Sequence, residues 1–421
     1  MINVLFIHNN FPGQFRNIAA ELARLRGVAV RAIGSTTAKA LPGVQLLRYK
    51  LPRGSHANVH PFARRFDRDC AFAEQVLYAA QELRQTGFIP DIIFVHPGWG
   101  EAMPLRLLFP ASRLVVYAEF YYKAVGADVG FDDAYGYYGI DGLIRTELRN
   151  AAQLMALEAC DEAIAPTTWQ KNLFPQAYHH KITVIHDGLD TEALQPATQP
   201  ELLLPDGVTL SKNHKVLSYV SRSLEPMRGF HRFTELLPDL MRRHPDLQVV
   251  IVGDDRSSYG NPPKNGMTWR EKCLDGIKNC VDLGKLHLVP RLDHDRLISL
   301  FQITRVHFYF TYPFVLSWSA LEAMGCGAIV VGSRTGPVEE VIEDGMTGFL
   351  VPFHNTESAV NKISSILANP NDFFDIGIAA RQSVIDRFDF EKRSKPAYFG
   401  LLKRLCDDWP ALPNHLEGPL G

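Results

Sequence analysis

Short apolar runs, each followed by a stretch of helical period, recur along most of the chain. Ile2–Ile7 is nearly all apolar, and similar runs occupy residues 91–95, 114–118, 162–165 and 181–185. A second series follows at 216–220, 248–252, 286–289, 306–310 and 328–331. A strand without polar alternation is buried on both faces, as in a parallel sheet covered by helices. Strands alternating with helices predict doubly wound α/β units. Between the two series lies a Pro-rich, irregular stretch, 191–213, which reads as a linker. A length of 421 residues is enough for two domains.

The most informative stretch is 311–327, TYPFVLSWSALEAMGCG. Trp318, Leu321 and Met324 recur at steps of three and predict a helix just after the apolar run 306–310. Glu322 sits on that helix among Ala320, Ala323, Gly325 and Gly327. In parallel sheets ligands lie beyond the carboxyl ends of the strands, near helix starts. Glu322 therefore either faces a ligand or is a solvated helix residue; spacing alone does not choose.

The segment LEAMGCGAIVVGSRTGPVEEVIEDGMTGFLV resembles the donor site of retaining glycosyltransferases of family 4. The resemblance implies a GT-B fold, two doubly wound Rossmann-like domains facing each other across a cleft. Glu322 takes the place of the Glu that binds the ribose hydroxyls. The family's first Glu, a donor-sugar contact eight residues earlier, is replaced by Phe314. SRSLEPMRGF resembles the family's G-R-x4-K-G, in which two cations hold the donor diphosphate; Arg222 fills the first position and Arg228 replaces the Lys. Arg suits the role, since a guanidinium can donate two hydrogen bonds to phosphate oxygens. The resemblance also places Ser317 and Trp318 at the donor-facing helix start, Val289 and Arg291 at the base, and Gly336 in a loop facing phosphate or sugar.

The N-terminal half is less specific. HNNFPGQF after the first strand contains Gly13 but no G-x-G-x-x-G; in the family this loop touches donor phosphates or acceptor. His96, in HPGWGE, ends another strand, as in many members of the family. Glu119 ends the next strand where the family often has a His. It is either the carboxylate that Phe314 denies the other half, or a structural Glu. The loop EFYYKAVGADVGFDDAYGYYG, with Tyr121, Tyr122, Tyr135, Tyr137, Tyr138, Asp128, Asp132 and Asp133, offers aromatic faces and carboxylates suited to a sugar. Tyr121, Tyr122 and Asp128 are the acceptor candidates. Asp187, Gly188 and Asp190 in HDGLD match the family's hinge. The expected domains are 1–190 for the acceptor and 191–389 for the donor, with a terminal helix over about 390–421 returning to the first.

A formal net charge of −2 gives no electrostatic case for nucleic acid. Six scattered cysteines without a C-x2-C pair argue against a disulfide framework or zinc site and suit a reducing cytoplasm. No apolar run is long enough for a membrane span, and MINVLFIHNN reads as a first strand. Peripheral contact with the inner face of a membrane stays open, with Arg64, Arg65 and Arg68 clustered on one predicted helix. The D-x-D at Asp67 and Asp69 lies on that helix, where residues two apart diverge, so it is not a metal site. The D-x-D at Asp293 and Asp295 reads as a helix N-cap.

The leading expectation is a retaining glycosyltransferase acting without metal or resident cofactor. It would move a sugar from a nucleotide-diphospho-sugar to a glycan, lipid-linked or other hydroxyl acceptor, in polysaccharide or glycoconjugate biosynthesis. Two alternatives stay open: a GT-B nucleotide-sugar epimerase or hydrolase, or a non-catalytic nucleotide-sugar-binding partner of another transferase. No oligomeric state is implied.

Overall fold

The computed structural model describes residues 1–52, 58–136, 138–406 and 409. Tyr137 of the expected acceptor loop, and the end of the expected terminal helix from 410 onward, lie outside the described residues. The chain divides into two units. The first comprises 1–125, 138–188 and the chain from Phe390; the second comprises 126–137 and 189–389.

In the first unit, strands β1 (Ile2–Ile7), β2 (Val28–Ser35), β3 (Gln45–Tyr49), β4 (Ile92–Val95), β5 (Arg113–Tyr117), β6 (Glu162–Ala165) and β7 (Ile182–Val184) form one sheet. Among the described residues its order is β3-β2-β1-β4-β5-β6-β7, and its pairings are parallel. Strand order reverses between β1 and β4, which makes their carboxyl ends the ligand-side crevice of such a sheet. Apolar side chains cover both faces. Leu5, Ile7 and Val95 pack with Val76 and Ala80 of the helix Arg64–Gln85. Val4, Phe6 and Phe94 pack on the other side with Tyr398, Leu401 and Leu402 of the terminal helix Lys395–Leu405. Lys395 also pairs with Glu21 at 2.7 Å.

The stretch 139–160 forms two helices, Gly139–Leu148 and Ala151–Ala159. Asn150 lies at the break. Its buried side chain donates to the carbonyl of Tyr122 at 2.8 Å and accepts from the Tyr122 N–H at 2.9 Å. That pairing satisfies the backbone of the Tyr122 loop, and the apolar period gives no hint of it.

In the second unit, a small antiparallel pair, β8 (Glu201–Leu203) and β9 (Thr209–Ser211), lies within the expected linker. The main sheet contains β10 (Lys215–Ser223), β11 (Leu247–Asp254), β12 (Leu286–Val289), β13 (Val306–Tyr309), β14 (Ile329–Ser333) and β15 (Phe349–Val351). Its order is β12-β11-β10-β13-β14-β15, again parallel, with the reversal between β10 and β13. Asp293 caps the helix His294–Ile303, accepting from Arg296 N at 2.9 Å.

Candidate functional site

Each unit builds a polar cluster at its own reversal point. In the first unit, His8 follows β1 and His96 follows β4. The N–H of His96 bonds the Ile7 carbonyl at 3.0 Å, which brings the two imidazoles to a 4.9 Å ring separation. Each ring is oriented by its own turn: His8 Nδ1 accepts from Asn10 N at 2.9 Å, and His96 Nδ1 accepts from Gly98 N at 3.1 Å. Both Nε2 atoms therefore carry the proton when the rings are neutral. His8 Nε2 meets Gln14 Oε1 at 2.8 Å, and Gln14 Nε2 donates to Glu119 Oε1 at 2.5 Å. The other carboxylate oxygen of Glu119 accepts from His96 Nε2 at 3.2 Å. The result is a continuous chain, His8–Gln14–Glu119–His96, across the ends of three adjacent strands.

Gly13 permits this chain. Its φ is +48°, and a Cβ there would lie 2.6 Å from His8 Nε2. Burial by itself would raise the Glu119 carboxyl and lower the His96 imidazole. Their mutual hydrogen bond and charge outweigh it, so Glu119 is held below, and His96 above, its ordinary value. Glu101, one turn beyond His96, is 0% exposed; Oε2 accepts from Trp99 N at 2.9 Å. Oε1 has no hydrogen-bond partner among the described residues. Burial pushes its pKa up to about 7.

The acceptor candidates belong to different units. Tyr121 packs on Phe174 with ring centroids 5.5 Å apart, and Tyr122 lies 3.8 Å beneath the Arg149 guanidinium, both in the first unit. Asp128 is buried and belongs to the second unit.

In the second unit, the chain leaving β10 turns at Pro226–Arg228, and Gly229, at φ +70°, lets the turn press against β13. A Cβ on Gly229 would fall 2.4 Å from that of Phe310. The turn is knitted to the loop after β13: Tyr312 N donates to the Met227 carbonyl at 3.0 Å. Arg228 NH1 donates to Thr311 Oγ1 at 3.2 Å and to the Val315 carbonyl at 2.7 Å. The guanidinium lies 5.3 Å from the ring of Phe314 and 5.7 Å from that of Tyr259. Phe314, 5% exposed, meets Tyr259 edge to face at 4.8 Å. Where the family pattern has a carboxylate, this chain has an aromatic wall against a cation.

Arg222 lies inside β10 rather than beyond it, and is exposed. The register of β10 against β11 shifts between Val220 and Ser223, and such irregularities re-aim a side chain. Ser317 N-caps the helix Trp318–Gly325, and its N–H bonds Tyr309 Oη at 2.7 Å. Glu322, 6% exposed, contacts His294 Nε2 at 3.1 Å. Trp318 is partly exposed. Val289 is buried at the end of β12, Arg291 is exposed just beyond it, and Gly336 opens the short helix Gly336–Glu339.

Sequence reasoning missed Glu225. It is fully buried and accepts from Tyr135 Oη at 3.1 Å, Ser258 N at 3.2 Å and Tyr259 N at 3.1 Å. It also missed His8 and Gln14, although His8 stands one residue past β1 just as His96 stands one past β4. Among the described residues, no group of three or more His, Cys, Asp or Glu is placed to hold a metal ion. No described helix is long and apolar enough to cross a membrane.

Comparison with known proteins agrees with both halves. The profile of the glycosyl transferase family 4 group matches residues 26–194, and that of glycosyl transferases group 1 matches 206–383. The D-inositol 3-phosphate glycosyltransferase of Kribbella flavida is 25% identical over 316 residues, covering 74% of this chain and 70% of that protein. A protein of the same description from Mycolicibacterium vanbaalenii is 23% identical, and the match spans 52% of this chain and 49% of that protein. The Anabaena protein HepE, solved in complex with UDP-glucose, superposes with a TM-score of 0.68 at 16% identity, over 96% of this chain and 100% of that one. The chain is a family 4-like glycosyltransferase of GT-B fold.

Proposed function

We propose that this enzyme transfers a sugar, with retention, from a nucleotide-diphospho-sugar to a hydroxyl acceptor. The second unit would hold the donor and the first the acceptor. The observation that carries the reading is Arg228, fixed on Thr311 and Val315 at the reversal point of the donor-side sheet. Breaking the anomeric bond loads negative charge onto the departing diphosphate. A cation already oriented by protein oxygens stabilises that charge without having to reorganise. Arg222 on the neighbouring bulge would supply the second positive charge, and the Ser317-capped helix start the N–H groups. Glu322 would accept from the ribose hydroxyls, with His294 holding its other side. No resident cofactor is required by this scheme.

Retention without a covalent intermediate requires attack on the face the diphosphate leaves, with that phosphate taking the acceptor's proton. Glu119 supports this reading indirectly. Both of its oxygens are engaged, by Gln14 and His96, so it suits a structural and electrostatic role better than a nucleophile's. The acceptor would be a glycan, a lipid-linked sugar or another polyol. The name of the Kribbella flavida relative suggests an inositol phosphate as a first acceptor to test, and the HepE complex suggests UDP-glucose as a first donor.

The test is direct. Wild type and Arg222→Ala are assayed against UDP-, GDP-, ADP- and dTDP-sugars, with the product anomer read by NMR. Loss of one such charge-stabilising donor lowers kcat by about 10²–10³-fold. Unchanged turnover in a folded Arg222→Ala removes that residue from the reaction, and an inverted product removes the stereochemical proposal.

A further inference from the structure

The chain of the first unit is interrupted after Val125 and resumes at Tyr138; the described residues between them pack with the second unit. This strap is anchored at three side chains. Asp132 Oδ2 receives Arg232 NH2 at 3.1 Å and meets His231 Nε2 at 3.3 Å. Phe131 packs on Tyr312 and Phe353, with ring centroids 5.2 and 5.1 Å away. Tyr135 sits edge-on to Trp269 at 5.6 Å, and its hydroxyl reaches into the turn that bears Arg228.

We propose that Tyr135 is a positioning residue for donor binding: its hydroxyl braces the Glu225–Arg228 turn and the Tyr259 loop together, and so sets the Arg228 guanidinium. The inference rests on the reading of Arg228 as a ligand of the donor diphosphate. Tyr135 Oη contacts Glu225 Oε2 at 3.1 Å and the Tyr259 carbonyl at 3.0 Å, and accepts from Met227 N at 3.4 Å. Two segments, the turn containing Glu225 and Met227 and the loop containing Tyr259, thus converge on one hydroxyl, and both flank Arg228. Glu225 precedes it by three residues, and the Tyr259 ring stands 5.7 Å from its guanidinium. Gly260, at φ +70°, has no Cβ because one would lie 2.7 Å from the Tyr135 ring, so the loop is shaped to this tyrosine.

Glu225 makes the brace sensitive to pH. Burial raises its pKa to about 7, against the hydrogen bonds from Tyr259 N, Tyr135 Oη and Ser258 N and the charge of Arg228. Tyr219 also faces it. The ionised carboxylate is the better acceptor for all three donors. Protonation loosens them, so diphosphate affinity falls as pH drops through Glu225's pKa. Removing the Tyr135 hydroxyl withdraws one donor from the ionised form and moves that midpoint upward.

The experiment titrates UDP, GDP, ADP and dTDP by calorimetry at pH 6, 7 and 8 into wild type, Tyr135→Phe, Glu225→Gln and Arg228→Ala. Tyr135→Phe keeps the ring and its aromatic contacts. It is expected to weaken the best nucleotide about tenfold at pH 7 and to shift the pH midpoint up. Glu225→Gln is expected to flatten the pH dependence, which also decides the matter should Tyr135→Phe not fold. Unchanged affinity in Tyr135→Phe at all three pH values, or an unaltered pH profile in Glu225→Gln, overturns the positioning role. If Arg228→Ala binds as wild type does, or wild type binds none of the four, the donor reading falls and this inference with it.

Discussion

Gln14 donates to Glu119 across 2.5 Å, joining the loop after β1 to the end of β5, two strands away in the sheet. Because His96 takes the second oxygen, the carboxylate is saturated by side chains from both directions. Glu119 thus orders the ligand-side edge of the first unit. The two rings it links, directly and through Gln14, stand at the edge where the acceptor is proposed to bind.

The Glu119–His96 contact should appear as a pH-dependent stability. Glu119 is held below its ordinary 4.5, so its contribution is present above pH 4.5 and fades as pH falls through the depressed value. His96 is held above 6.5, so its contribution is present below pH 6.5 and fades as pH rises through the elevated value. Glu119→Gln should therefore destabilise most between those limits, by about 2 kcal/mol. The difference should narrow on either side. Thermal midpoints of wild type and variant from pH 4 to 9 check this; a difference independent of pH would show that the contact is not ionic.

Glu101 gives the opposite slope. Its folded pKa of about 7 lies above the ordinary 4.5, so the folded chain binds an extra proton between the two values. Stability is lost as pH rises from 4.5 to 7, by about 3 kcal/mol for the full shift. Glu101→Gln, close in shape to the protonated acid, should lack that decline. It should gain about 3 kcal/mol relative to wild type on going from pH 5 to pH 8. Chemical denaturation at the two pH values measures it, and equal differences at both would mean that Glu101 does not titrate in this range.

Much of the scaffold was legible because it rests on local signals. Continuous apolar runs marked buried parallel strands, and Asp293 marked a helix start. Glu322 and Arg228 were singled out by their match to the family's motifs, and each lies in the segment that follows a strand of the second sheet. The contacts that organise the two clusters were not legible. Gln14 and Glu119 are 105 residues apart, and Tyr135 and Glu225 are 90 apart. Neither pair has a period or spacing that announces it. Asn150, at the break between two helices, bonds Tyr122 of a distant loop, a tertiary contact that no local pattern announces. The residues of the Tyr- and Asp-rich loop serve two units: Tyr121 and Tyr122 pack in the first, Asp128 and Tyr135 in the second. Composition identified the loop's chemistry and could not say where each side chain would dock.

Gly13 provides a steric test. At φ +48° an alanine pays a left-handed backbone penalty of about 1–2 kcal/mol, and its Cβ would also strike the His8 ring. Gly27, at φ +83° with nothing within 4 Å, would pay only the backbone part. Gly13→Ala should therefore destabilise more than Gly27→Ala, displace the His8 imidazole in NMR spectra, and reduce transfer. Equal destabilisation by the two, with an unmoved His8 resonance, would mean that the loop yields without cost to the His8–Gln14 contact.

Phe314 allows a test of what the missing carboxylate means. Its ring is 5.3 Å from the Arg228 guanidinium and 4.8 Å from the Tyr259 ring, so the site is built around a cation flanked by aromatics. A carboxylate in this buried place would sit within a few ångströms of Arg228, and at short range in a poorly solvated site opposite charges couple strongly. Phe314→Glu should then neutralise the cation proposed to hold the donor diphosphate. Nucleotide affinity should drop about tenfold or more, the scale of a lost hydrogen bond to a charged group. Phe314→Leu, which removes the ring but adds no charge, should lose much less. Steady-state kcat/KM and nucleotide affinity for the two variants separate the cases. If Phe314→Glu transfers sugar faster than wild type, the carboxylate is reaching the donor sugar rather than Arg228, and the aromatic wall is a loss of function at that position rather than a part of the cation's setting.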